Sequence, residues 1–175
     1  MKTFIVLLRA VNVGGTGKLP MADLKRLCET AGFAQVRTYI ASGNVVLNSA
    51  VNAAQVKSSL ETALAFYAGK PVGVMVRTAS EMAAVLASNP FPDAAPNRMV
   101  VTFLDAAPPV DTLDRLSHRG DEEIVLGKRE IYVHYGAGMA SSKLVVPATK
   151  LGTGRNLNTI TRLVEMANAD HAGEP

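Results

Sequence analysis

The order in which hydrophobic periods follow one another between Thr3 and Val76 restricts the fold more than any single motif does. Thr3–Leu8 is almost continuously apolar and partly β-branched, as a strand covered on both faces requires. A glycine-rich segment follows, and Pro20 then stands where a helix tolerates it, at the first position. Met21, Leu24, Leu27, Cys28 and Ala31 recur at helical spacing, and Gly32 ends the run. Gln35–Ala41 and Asn44–Asn48 read as short strands joined tightly at Ser42-Gly43. Asn52 and Gln55 form a capping box for a helix with the stripe Val56, Leu60, Leu64 and Tyr67, which Gly69 closes. Pro71–Val76 is a further strand. The resulting order, β-α-β-β-α-β, is ferredoxin-like.

The remainder repeats the plan with few shared residues. Thr78 and Glu81 box the start of a helix bearing Met82, Val85 and Leu86, and the proline-rich residues 89–97 read as a connector. Met99–Leu104 matches the first strand. A helix is expected around Asp111–Ser117, with Leu113 and Leu116 inward, before the strands Glu123–Leu126 and Ile131–Tyr135, joined through Gly127-Lys128. A short helical piece is expected near Ser141–Val146, stopped by Pro147. The last helix runs from Asn156 with the stripe Leu157, Ile160, Leu163, Val164 and Ala167, in place of a final strand. The expected fold is α+β: two ferredoxin-like halves (1–88 and 98–175, forming one compact unit), a weak internal duplication, and mostly antiparallel sheets with helices packed on them.

A chain of 175 residues buries roughly 70% of its unfolded surface, so it folds without disulfides or metal. Its one cysteine, Cys28, lies on an apolar helix side; the bland reading is a small buried hydrophobe, the sharp one a reactive thiol. The apolar run Phe4–Leu8, broken by Arg9, is too short for a signal-peptide core or a membrane span. A cytoplasmic location and no membrane partner are therefore expected. The net charge is +3, and the cations cluster. Residues 1–40 carry Lys2, Arg9, Lys18, Lys25, Arg26 and Arg37 against Asp23 and Glu29, and residues 136–165 carry Lys143, Lys150, Arg155 and Arg162 against Glu165. Such segments suit an anionic partner, and equally a solvated basic face.

The candidate site grows from the segment after the first strand, where Arg9, Asn12, Gly14, Gly15 and Lys18 combine positive charge with bare backbone N–H groups before a helix. In a ferredoxin-like sheet the first strand runs antiparallel beside the third, which brings Arg9–Asn12 next to Ser42 and Asn44. The alternative is that Ser42 and Asn44 are turn residues and Arg9 a surface charge. Gly152-Thr153-Gly154-Arg155 precedes the last helix as Gly15-Thr16-Gly17-Lys18 precedes the first, putting a cation at each helix start.

Leu8-Arg9-Ala10-Val11-Asn12-Val13-Gly14-Gly15, Lys18-Leu19-Pro20-Met21 and Tyr39-Ile40-Ala41-Ser42-Gly43-Asn44-Val45-Val46 together resemble the bacterial family known as domain of unknown function 1697. Ser142-Lys143-Leu144 and Thr153-Gly154-Arg155-Asn156 match its C-terminal pattern; Leu157 departs from it, where the family commonly has Trp, and the segment between Lys143 and Thr153 is short. The resemblance covers nearly the whole chain. It implies the fold and the placement of the site, and no activity.

Other motifs fail on chemistry. A P-loop needs a glycine where Asn12 stands and a hydroxyl where Leu19 stands, and Pro20 occupies the third glycine of a dinucleotide fingerprint. An RNA-recognition sheet needs stacking aromatics, which Asn44-Val45-Val46-Leu47-Asn48 lacks. His118, His134 and His171 are scattered, so neither a metal nor another cofactor is expected, and Asp121-Glu122-Glu123 reads as a solvated edge. The favoured function is binding of a small phosphorylated or other anionic ligand. Arg9, Lys18, Lys143 and Arg155 would neutralise charge, Asn12, Ser42 and Asn44 would orient, and Gly14, Gly15, Thr153 and Asn156 would supply further contacts. The alternatives are a nucleic-acid-associated protein that holds phosphates without reading bases, and an enzyme using Ser142 or Lys143, for which no activating base is visible in the sequence. No sequence feature sets the oligomeric state.

Overall fold

The computed structural model describes residues 1–9, 18–40 and 42–169. It contains two four-stranded antiparallel sheets and four helices. The chain divides into two units: Met1–Ala83 with the part of the last helix from Arg162, and Ala84–Thr161.

In the first unit β1 (Lys2–Leu8), α1 (Met21–Thr30), β2 (Ala34–Tyr39), β3 (Asn44–Ser49), α2 (Ala53–Ala68) and β4 (Val74–Thr78) follow in the expected order. The sheet is ordered β2-β3-β1-β4, with the continuously apolar strand at its centre. Phe4, Val6 and Leu8 point to one face, where they join Leu24 and Cys28 of α1 and Val56, Leu60 and Leu64 of α2 in one core. Ile5 and Leu7 point to the other face and are equally buried. Fully burying each such side chain contributes about 1.5–3 kcal/mol. Asn52 caps α2, accepting from Gln55 N at 2.9 Å while Gln55 Oε1 accepts from Asn52 N at 3.1 Å. Gly69 ends α2 at φ 71°, the left-handed conformation that glycine adopts without strain. Thr78 and Glu81 box α3 (Ala79–Ala87) in the same reciprocal way.

The second unit contains β5 (Met99–Phe103), β6 (Glu123–Leu126), β7 (Glu130–His134) and β8 (Thr153–Asn156), followed by α4 (Leu157–Ala169). Its sheet is ordered β6-β7-β5-β8. Renumbered within each half, both sheets run second-third-first-fourth, so the duplication is one of topology. Ile131 and Val133 of β7 pack with Leu104, Val146 and Ala148. Tyr132 donates its hydroxyl to Val85 O at 3.0 Å, which satisfies the polar tip of a buried ring.

The structure departs from three local expectations. The final strand is present: Thr153–Asn156 pairs with β5, Arg155 opposite Val101 and Thr153 opposite Phe103. Gly154-Arg155 is therefore sheet rather than a loop opening a helix. Helices expected near Asp111–Ser117 and Ser141–Val146 are replaced by 3-10 turns at Thr112–Arg115, Met139–Ser141 and Pro147–Leu151, and Leu113 is exposed. One feature accounts for both losses. Ser117 N donates to Val145 O at 3.1 Å and Val145 N to Ser117 O at 2.9 Å, and an extended bridge takes both residues out of helical geometry. Asp121-Glu122-Glu123 is not uniformly solvated either: Glu122 is only 4% exposed.

Candidate anion site

Each unit presents its own share of the candidate residues. In the first, β1 delivers its carboxyl end between two turns. Leu8 N donates to Gly43 O at 2.8 Å, and Arg9 N donates to Gly73 O at 2.8 Å. Leu7 lies opposite Asn44, so the end of β1 meets the start of β3, the adjacency that the ferredoxin-like order requires. Arg9 is exposed, and its stem lies over Gly73, where an added Cβ would come within 3.3 Å of Arg9 Cβ. Lys18 is also exposed, two residues before Pro20, and the first turn of α1 receives no hydrogen bond from the Pro20 side chain. Orphan N–H groups and the helix dipole favour negative charge there.

Ser42 and Asn44 brace the turn beside Arg9. Asn44 is fully buried, and its Nδ2 donates to Tyr39 O and to Ser42 Oγ, each at 2.9 Å. Both donor hydrogens of that amide are thereby committed inside the hairpin. Asn12, Gly14 and Gly15 lie outside the described residues.

In the second unit Lys143 is exposed, whereas Thr153 and Arg155 are buried in β8. Arg155 Nη1 donates to Thr153 Oγ1 at 2.6 Å and to Gly154 O at 2.9 Å. Burial pushes the Arg155 guanidinium down to about 10, which still leaves it charged at neutral pH. Asn156 caps α4, its Oδ1 accepting from Thr159 N at 2.9 Å.

Lys143 also lines a cleft of about 300 Å³ together with His118, Gly120, Glu122 and Ser142. Glu122 is a polar residue that sequence reasoning placed on a solvated edge. Its Oε1 accepts from Ser142 Oγ at 2.5 Å, its Oε2 from Gly120 N at 2.6 Å, and its carbonyl from Arg119 Nε at 2.9 Å. The Ser142 hydroxyl, and after it the backbone donors, hold the Glu122 carboxyl below the usual carboxylate range. Ser142 Oγ in turn accepts from Leu144 N at 3.2 Å. A carboxylate stabilised in its ionised form orients a hydroxyl well and deprotonates it poorly, so this wiring favours a latch over an activated nucleophile. His118 sits at φ 56°, a left-handed conformation uncommon outside glycine. Among the described residues no cluster of His, Cys, Asp or Glu has the arrangement of a metal site, and no helix is long and apolar enough to cross a membrane.

The conserved bacterial protein SP0830 from Streptococcus pneumoniae has a similar solved structure, with a TM-score of 0.78 and 26% identity over 95% of this chain and 98% of that one. No curated protein matches the chain in sequence. The family described as "Protein of unknown function (DUF1697)" matches residues 1–132, and the chain belongs to it.

Proposed function

We propose that this DUF1697 protein binds a small phosphorylated or otherwise anionic ligand at the carboxyl end of β1. Two backbone hydrogen bonds carry the reading: Leu8 N to Gly43 O and Arg9 N to Gly73 O, which seat the start of the glycine-rich segment between two turns. To the proposed site the exposed Arg9 and Lys18 supply positive charge and α1 supplies a helix N-terminus. Asn12 and the N–H groups of Gly14 and Gly15 add donors, and Ser42 and Asn44 hold the neighbouring turn. Lys143, Thr153, Arg155 and Asn156 enter the proposal as ligand-binding candidates of the second unit on their chemistry alone.

A thermal-shift screen against nucleotides, sugar phosphates, carboxylates and short oligonucleotides, at low and moderate salt, tests it. A ligand at a hundred times its Kd adds about 2.7 kcal/mol, roughly 5–10 °C for a chain of this length. Arg9 is exposed, so Arg9→Ala changes intrinsic stability by no more than about 0.5 kcal/mol, and loss of the shift reports binding. The expected result is a salt-tolerant shift from a small anion that Arg9→Ala or Lys18→Ala removes. Shifts from oligonucleotides alone, collapsing steeply with salt, assign the basic face to nucleic acid instead. Absence of any shift overturns the reading.

A further inference from the structure

The outward surface of α1 and α2 combines a trough with a projecting aromatic ring. A groove of about 850 Å³ runs between the two helices, floored by Leu27, Ala31 and Ala63 and edged by Ser58, Ser59 and Thr62. Phe66, 94% exposed, projects from its lining. Two hydroxyls of the trough are satisfied internally. Thr62 turns its hydroxyl back to Ser58 O at 3.0 Å, and the Tyr67 hydroxyl donates to Asp23 Oδ2 at 2.7 Å. The surface therefore exposes small, largely apolar atoms with one large ring protruding from them.

We propose that this face is a contact between two copies of the chain, in which Phe66 of one copy seats on Ser58 and Thr62 of the other. Ser58, Thr62 and Phe66 are spaced four residues apart and share one helix face. Two α2 helices crossing antiparallel about a two-fold axis at Thr62 bring position 66 of each copy onto position 58 of its mate, the two such contacts lying about 12 Å apart along the helix. A knob at one end of the ridge thus faces a gap at the other, in both directions at once. The charges do not oppose a second copy as occupant. Arg26 and Asp23 border the same groove and pair with each other at 3.5 Å, so this pair adds no net charge to repel the groove's own image. The 16 residues of α2 run about 24 Å, and with α1 alongside the face covers roughly 500 Å² per copy. That is the small end of specific interfaces, so the association is weak and depends on concentration.

Sedimentation velocity of the full chain over a wide concentration range provides the test. Wild type is expected to pass from monomer to dimer as concentration rises. Phe66→Ser removes the knob and Ser58→Phe fills the gap, so each single variant stays monomeric with its melting temperature within a few degrees of wild type, since both positions are exposed. The double variant Ser58→Phe, Phe66→Ser exchanges knob and gap and recovers the dimer. A monomeric wild type at every concentration overturns the proposal, as when the face serves a different partner. Dimers that survive both single variants, or a double variant that stays monomeric, overturn it equally.

Discussion

Ser142 donates its hydroxyl to Glu122 at 2.5 Å across twenty residues of sequence, and so ties the chain after the Met139–Ser141 turn to the chain before β6. The second oxygen of the same carboxylate accepts from Gly120 N. The latch requires the ionised carboxylate, because only that form accepts at both oxygens without carrying a proton of its own.

The pH dependence has a definite sign. Hydrogen bonding from Ser142 holds the folded carboxyl below its unfolded value. Such a group stabilises the fold at pH values above the unfolded pKa, and the contribution disappears as pH falls through the folded one. Melting curves of wild type and Glu122→Gln are therefore separated at pH 7, with the variant lower, and converge in acid as pH falls below the ordinary glutamate range. A gap that persists unchanged or widens in acid would show that the charge on Glu122 contributes nothing to the latch.

Asn44 offers a test that separates bracing from ligand contact. Its amide donates twice from a fully buried position. Asn44→Ala removes the donor that Tyr39 O and Ser42 Oγ share and should cost about 2–4 kcal/mol. At 2–4 °C per kcal/mol that is roughly 5–15 °C in melting temperature, measured without any ligand. A variant that melts like wild type would remove the bracing role.

Cys28 should be inert in the folded protein. It is fully buried, and burial pushes its thiol up to about 12, so almost no thiolate exists at pH 8. It is the only cysteine, so a thiol-reactive disulfide reagent gives an uncomplicated reading. The expected outcome is negligible reaction under native conditions and one equivalent released in denaturant. Rapid native labelling would place the thiol in an accessible, activated setting.

What was legible in the sequence was local, or followed from a fixed order. Asn52 with Gln55 and Thr78 with Glu81 announce their helices within four residues, and both boxes form. The turn at Ser42-Gly43 lies beside the end of β1 because the strand order leaves it nowhere else. The second unit was harder for a physical reason. Thr153–Asn156 has weak strand propensity and becomes a strand because β5 offers it an edge. Glu122 is surrounded in sequence by Asp121 and Glu123, and it is buried and bonded to Ser142, a partner that no local pattern announces. Arg155 likewise looks like a helix-start cation until its pairing opposite Val101 takes it into the sheet.

Gly152 carries the sharpest structural prediction, because it sets how closely β8 approaches β5. Its backbone is extended, at φ −134° and ψ −163°, so conformational freedom is not what the position requires. Space is. A Cβ added there would collide with the carbonyl oxygen of Phe103 and stand 2.7 Å from Leu104 Cδ2. The first obstacle is backbone within the central strand, which cannot yield without disturbing the pairing of Phe103 with Thr153 and with Glu130. Gly152→Ala should therefore destabilise by about 2–3 kcal/mol, as overpacking a rigid site does, lowering the melting temperature by roughly 5–10 °C. Gly69→Ala is the informative control. Nothing lies within 4 Å of its added Cβ, so only the left-handed strain remains, about 1–2 kcal/mol. Thermal melts of the two variants side by side decide the matter. If Gly152→Ala proves the milder of the pair, steric approach to β5 is not what holds glycine at this position.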